Sequence, residues 1–282
     1  MNYTIQNNDI LIQNVTDLDL AQTLDCGQAF RWEQLEDGSY QGGALNKPLR
    51  VSLKESILIL HDTNESDLAF WAEYFDFDTD YGSLKACFAQ HEILQKAVKF
   101  APGLRILKQD KWEALCSFII SQNNNIKRIK GIIDRLCRCF GEDMGGGYYS
   151  FPTAEHLAHH SVEDLSELKA GFRARYILDA AQKISSGEVN LEEVAQLPLE
   201  DARKSLMKIT GVGVKVADCA LLFGFYRVES YPVDVWIKRV NQHMFPQGLP
   251  TYVLPYAGIA QQYLFHYARV CPEAFAFVQE NK

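Results

Sequence analysis

No long apolar run, no paired cysteine motif and no low-complexity stretch marks this chain. Nowhere in its 282 residues does an apolar segment approach the roughly 20 residues that a membrane-crossing helix needs. Met1 to Ile10 has no basic stretch followed by an apolar run, so a secretory leader is not expected. The seven cysteines, Cys26, Cys87, Cys116, Cys137, Cys139, Cys219 and Cys271, are odd in number and include no C-x-x-C pair. Neither a disulfide framework nor a zinc site has its signature here. Only Cys271 falls in the last sixty residues, which excludes a C-terminal iron–sulfur cluster of about four thiolates. The expectation is a soluble intracellular protein with no metal and no cofactor.

What the chain does have is enough apolar material for real cores, at 47% hydrophobic and 12% aromatic residues. Its net charge of −8 argues at first sight against a nucleic-acid partner, whose usual footprint is basic. The distribution changes that reading. Residues 1–100 hold 7 Lys/Arg against 16 Asp/Glu, whereas residues 101–282 hold 21 against 20. The cations of the second part also cluster, as in Lys127-Arg128, Lys130, Arg135 and Arg138, or Lys204, Lys208 and Lys215. Local charge, not the total, decides binding to a polyanion.

The first hundred residues read as strands and turns. Ala29-Phe30-Arg31-Trp32 and Val51-Ser52-Leu53 are β-like, and Ile57 to Leu60 is an apolar run. Turn signals separate them at Glu36 to Ser39, Gly42-Gly43 and Asn46-Lys47-Pro48. An antiparallel sheet followed by a helix is the simple reading; Trp71 to Tyr81, acidic and aromatic, starts the transition, and after Pro102-Gly103 the period becomes helical. Trp112, Leu115, Cys116, Ile119 and Ile120 share one helix face, as do Ile126, Ile129, Ile133, Leu136 and Phe140. The polar break Gln122 to Asn125 suits a turn and a helix cap. Ser161 to Asp164 has capping-box spacing, and further helices are expected at 173–186, 199–208, 213–224 and 234–245. The fold class is therefore α+β, with an antiparallel sheet domain at 1–100 and a mainly helical region at 101–282. No internal repeat is visible.

The most informative stretch is Lys208-Ile209-Thr210-Gly211-Val212-Gly213-Val214-Lys215. A helix ends, Gly211 and Gly213 flank one apolar residue, and a second helix begins. Glycine lets a backbone approach a ligand closely, and amides at a helix N-terminus hold phosphate. By itself the pattern is also that of an ordinary tight αα turn. Nineteen residues after Lys215 comes Asp234, within Tyr231-Pro232-Val233-Asp234-Val235. A lysine in the first turn of a helix feels the positive dipole end, and partial burial penalises its charge. Both favour the neutral amine, which is the nucleophile. Asp234 suits a site where positive charge develops, and equally suits the N-cap of the helix that follows.

Hairpin, lysine and Pro-Val-Asp at this spacing resemble the helix-hairpin-helix superfamily of DNA glycosylases, including the lysine of its bifunctional members. Four more segments resemble the 8-oxoguanine DNA glycosylases in particular. These are Gly27 to Trp32, Phe118 to Arg128, Gly171 to Tyr176, and Ala257 to Phe265. The resemblance implies two helical subdomains with the active site between them, attack of Lys215 on the sugar C1′, and Asp234 stabilising the sugar cation. It implies release of oxidised guanine from duplex DNA, preferably opposite cytosine, followed by strand cleavage through β-elimination.

The same resemblance assigns the damaged base to Gly27, Cys219, Pro232, Asp234, Gln261 and Phe265. The Gly27 carbonyl would accept the hydrogen that 8-oxoguanine carries on N7 and guanine lacks. Gln261 offers a donor and an acceptor to a base edge, and Phe265 and Cys219 would cover the two faces. Taken singly, Gly27 reads as a turn glycine and Phe265 and Cys219 as core residues. Asn123, Arg128 and Arg173 match readers of the opposite cytosine and Phe172 a strand wedge, while Gly211, Gly213 and Trp236 lie where the family meets DNA. Arg128 equally suits a phosphate contact. Trp236 stands where eukaryotic members have a histidine, and Ala268 where they have an aspartate partnering it. The implied protein is a monomer on chromosomal DNA, in the cytoplasm or nucleoid of a microbe. The rivals are a monofunctional alkylated-base glycosylase, which lacks the lysine, and a non-catalytic helix-hairpin-helix DNA-binding protein, which lacks the lysine–aspartate pair.

Overall fold

The computed structural model describes residues 1–275; residues 276–282, the tail of the expected helical region, lie outside the described residues. Strands β1 (Tyr3–Gln6) and β2 (Asp9–Ile12) form a hairpin, and the short helix α1 (Leu20–Leu24) follows. Strands β3 (Glu33–Gln34), β4 (Tyr40–Ala44), β5 (Lys47–Lys54) and β6 (Ile57–His61) complete an antiparallel sheet in the order β1-β2-β6-β5-β4-β3. Asn7 and Asn8 both have positive φ, +50° and +68°, the geometry of a tight turn that joins twisted strands without splaying them. That hairpin carries a turn signal in its two asparagines that the sequence reading passed over.

Two expected features of this region are placed differently. Ala29 to Trp32 is not a strand. Its residues look β-like because they face two different cores. Phe30 enters the helical cluster, whereas Ala29 and Trp32 enter the cluster under the sheet. Arg31 reaches Glu113 at 3.1 Å, joining the segment to the helical region. Gly42 and Gly43 do not make a turn but lie inside β4. A Cβ on either would sit 2.2 Å from a backbone oxygen, of Arg31 and of Lys47 respectively, so the glycines mark close backbone approach within a strand.

The single helix expected after the sheet is three helices before Pro102-Gly103. Helices α2 (Leu68–Tyr74), α3 (Tyr81–Phe88) and α4 (Glu92–Phe100) precede it. Tyr81, Phe88 and Leu94 are buried in the helical cluster, while Trp71 and Phe75 pack under the sheet. Helices α5 (Lys111–Ser121) and α6 (Ile126–Phe140) follow, with the polar break between them as expected. Asn125 caps α6, its side chain accepting from the Arg128 amide at 3.0 Å. Then come α7 (Ala154–Ala158), α8 (Arg173–Ser185), α9 (Leu191–Gln196), α10 (Leu199–Leu206), α11 (Val214–Gly224), α12 (Val235–Met244) and α13 (Ala257–Val270). Ser161 and Asp164 do form a reciprocal box, at 2.7 Å and 3.2 Å, but it opens a 3-10 turn, Asp164–Leu168, rather than an α-helix.

Sheet and helices are joined by buried polar side chains. Gln28 is fully buried. It donates to Thr23 O at 2.8 Å and Arg105 O at 2.7 Å, and accepts from the Leu107 amide at 2.9 Å. Arg105 in turn donates to Asp17 O at 2.8 Å, Thr16 O at 2.6 Å and Asp76 O at 2.7 Å. Buried backbone groups need partners, and these side chains supply them where no ladder does. Gln28→Leu leaves the Leu107 amide without its acceptor and the Arg105 carbonyl without this donor. Urea unfolding should then show a loss on the order of 3 kcal/mol, since each orphaned buried group costs roughly 1–3 kcal/mol. A loss below about 1 kcal/mol would show that Gln28 is not the joint proposed.

Candidate active site

The hairpin before α11 is seated on α8. Thr210 N donates to Asp179 Oδ2 at 2.7 Å, and Lys183 Nζ to Lys208 O at 2.7 Å. Gly211 has φ +80° and lies flat on Tyr176, where a Cβ would come within 2.4 Å of the ring. Only glycine meets both conditions. Gly213 is the N-cap of α11 in extended backbone, with open space where a side chain would go. Helix α11 therefore starts where the hairpin ends, and Lys215 stands in its first turn.

Lys215 is half-buried, with Nζ 5.9 Å from the centroid of the Phe118 ring. Phe118 itself stacks on Phe223 at 5.1 Å and meets Phe30 edge-on at 5.9 Å. Cys219, one turn along α11 and buried, has its thiol pushed up to about 11 by burial, with the Lys215 charge opposing. Asp234 caps α12, its Oδ1 accepting from the Ile237 amide at 2.8 Å. Burial raises the Asp234 carboxyl above its ordinary 3.8, against the pull of the Ile237 amide and of Lys215. Asp234 is thus a helix cap, and it lines the same cavity as Lys215.

That cavity has a volume of about 970 Å³. Lys215, Cys219, Pro232 and Asp234 line it. Gly27, Gln261 and Phe265 line it as well, brought there by the turn after α1 and by α13. Gly27 has φ +89°. Gln261 is only 4% exposed, and its Oε1 has no hydrogen-bond partner among the described residues. An unpartnered buried amide oxygen is costly, and it is the clearest sign of a ligand group in this wall.

Of the residues expected to face the opposite strand, only some line the cavity. Asn123, at φ +46°, and Phe172, 46% exposed, line the same cavity, as do Gly213 and Trp236. Arg128 is exposed on α6 and outside the cavity lining. Arg173 is placed otherwise than as a free donor. It is 2% exposed, and its guanidinium donates to Gln122 O at 2.8 Å, Asn123 O at 2.8 Å and Ala170 O at 3.1 Å. Sequence reasoning missed Phe118, Gln262 and Arg269, all in the cavity wall. The signal for Arg269 was its i+4 spacing from Phe265, which puts both on one helix face. Among the described residues no cluster of three His, Cys, Asp or Glu converges as a metal-holding group.

A half-buried amine and a carboxylate lining one cavity, with an unpartnered amide oxygen in its wall, suit an enzyme that uses an amine nucleophile at a carbon developing positive charge. Residues 10–115 match the family described as 8-oxoguanine DNA glycosylase, N-terminal domain, and residues 116–249 the HhH-GPD superfamily of base excision DNA repair proteins. The chain is 36% identical to an N-glycosylase/DNA lyase of Saccharomyces cerevisiae, over 80% of this chain and 68% of that one. It is also 36% identical to the Clostridium acetobutylicum 8-oxoguanine glycosylase/lyase, solved with duplex DNA containing cytosine opposite 8-oxoguanine. That likeness has a TM-score of 0.89 and covers 96% of this chain and 99% of the other. A 3-methyladenine glycosylase from Archaeoglobus fulgidus, at 18% identity and TM-score 0.71 over 92% of this chain and 98% of that one, shares the fold alone. The chain belongs to the 8-oxoguanine DNA glycosylase/lyase family of the HhH-GPD superfamily.

The two roles of Asp234 separate on substitution. Asparagine caps a helix about as well as aspartate, so Asp234→Asn should leave the urea midpoint nearly unchanged. Its folded pKa is raised, so ionisation takes stability away as pH rises, and removing the charge costs the fold nothing. Base release should fall on the order of 10²-fold, the scale of losing one preorganised electrostatic partner. In the wild type, single-turnover release should decline as pH drops through a value above 3.8, the ordinary carboxyl value. The decline should be missing in Asp234→Asn. A variant with normal release would leave Asp234 only its cap.

Proposed function

We propose that this chain removes 8-oxoguanine from duplex DNA, preferably opposite cytosine, and then cleaves the strand. The observation that carries the reading is Lys215 in the first turn of α11, sharing one cavity with Asp234 and the unpartnered Gln261 amide. The neutral Lys215 amine attacks the sugar C1′ as the bond from C1′ to the base breaks. The electron pair of that bond leaves with the base, which takes up a proton. The ammonium so formed loses a proton, the sugar ring opens, and the nitrogen remains as a Schiff base. Loss of a C2′ proton then expels the 3′ phosphate by β-elimination. Asp234 stabilises the positive charge that builds on the sugar.

The base enters by flipping out of the duplex. Gly27 presents its carbonyl to N7–H, Gln261 meets the Watson–Crick edge, and Phe265 and Cys219 cover the faces. Pro232 closes the wall beside Asp234. Asn123 and Arg128 read the cytosine left behind, and Phe172 fills the gap in the stack. Arg173 holds the carbonyls of the loop that carries Asn123, which makes it the support of that reading. Gly211, Gly213 and Trp236 lie along the DNA backbone. One chain supplies every part of the cavity, so a monomer suffices, and it works wherever the chromosomal DNA lies.

Excision across a panel of lesions, each with all four opposite bases, tests the proposal. Release of 8-oxoguanine should lead, strongest opposite cytosine. An alkylated purine released faster would overturn it. Within the same assay, Arg128→Ala should narrow the preference for cytosine over adenine about five- to hundred-fold, the ~1–3 kcal/mol carried by one good base contact. A uniform loss over all opposite bases, with a shallower salt dependence, would reassign Arg128 to a phosphate.

A further inference from the structure

Helix α13 brings more to the cavity than Gln261 and Phe265. Gln262 and Arg269 reach from it to the turn that ends at Gly27. Gln262 Nε2 donates to Cys26 O at 3.2 Å, and Arg269 Nη2 donates to Asp25 O at 3.1 Å. The same guanidinium lies over the Phe265 ring, 5.4 Å from its centroid. Its Nη1 comes within 3.4 Å of the place a Cβ on Gly27 would take. One side chain therefore touches both the wall turn and the stacking ring.

The arrangement is not an ion pair. The Asp25 carboxylate pairs with Lys130 at 3.1 Å and accepts from Tyr40 at 2.7 Å, leaving only the Asp25 carbonyl to Arg269. Burial pulls the guanidinium pKa down. The nearby Cys26, Asp25 and Asp234 charges oppose that pull, and the aromatic face, the carbonyl and the last-turn position on α13, where the helix dipole welcomes positive charge, favour the cation as well. A planar guanidinium reaches two partners at once in fixed geometry, which an ammonium does not.

We infer that Arg269 is a positioning residue for the flipped base: it ties the Asp25–Gly27 turn to α13 and holds Phe265, so that two walls of the pocket keep a fixed spacing. The inference rests on the base-pocket reading above. The Gly27 carbonyl distinguishes an N7 hydrogen only if it stands at hydrogen-bond distance from a base stacked on Phe265. A turn with positive φ and no Cβ does not hold that position unaided.

The test uses two reactions on the same duplex: single-turnover release of 8-oxoguanine opposite cytosine, and strand cleavage at a preformed abasic site. The second needs Lys215 and DNA binding but no base. Arg269→Met keeps the length and apolar bulk of the side chain. It should slow base release about 10- to 100-fold, the scale of a 1 Å misplacement, with abasic-site cleavage and the urea midpoint little changed. Arg269→Lys, which keeps the charge but reaches one partner only, should recover a minor part of the rate. If Arg269→Met does not fold, Arg269→Gln, which keeps an amide donor, decides by the same pair of rates. A parallel loss of both reactions, or unchanged base release, overturns the inference. Wild-type protein that releases no 8-oxoguanine would overturn the underlying reading and the inference with it; wild-type release with an unaffected variant overturns the inference alone.

Discussion

The contact on which the site depends is that of Gly211 with the Tyr176 ring. With φ +80° and no room for a Cβ, Gly211 lets the hairpin lie against α8, and the direction of α11 follows from that. The first turn of α11 then delivers Lys215 to the cavity. Helix α8 also carries Phe172 at its N-terminus, and its Arg173 holds the carbonyls of Gln122 and Asn123. A single helix thus holds the hairpin, Phe172 and the Gln122–Asn123 loop against one another. Any side chain at 211 would push the hairpin from its seat, and all three would lose alignment together.

The electrostatics follow from placement rather than from the total charge. A chain of net charge −8 can serve a polyanion because its acidic excess lies in residues 1–100, while Lys215, Lys238 and Arg269 line the cavity. Inside the cavity, partial burial works on acid and thiol in the same direction, raising Asp234 and Cys219 alike. The Lys215 charge opposes both shifts.

The parts most legible in the sequence are those whose signal is local. Asn125 caps α6 as its side-chain chemistry suggests, and α8, α10, α11 and α12 lie close to the four helices expected after residue 170, whereas α9 and α13 were not expected. The hairpin, Lys215 and Asp234 were readable as a spacing. Signals failed where two cores compete for one segment. Phe30 and Trp32 alternate like a strand while linking helical and sheet clusters. Gly42 and Gly43 look like a turn because glycine is needed equally for close strand approach. The burial of Arg173 was hidden because its acceptors are main-chain carbonyls about fifty residues away in sequence, a contact no periodicity reports. Arg269 was hidden for the same reason, its partner being a carbonyl at the other end of the chain.

The account stands or falls on which atom bonds to the sugar. Borohydride reduction during turnover of duplex DNA containing 8-oxoguanine, followed by proteolysis and mass spectrometry, locates the adduct. A single modified peptide carrying the sugar remnant on Lys215 is the predicted result. A remnant on any other amine, or complete excision with no adduct, would contradict it.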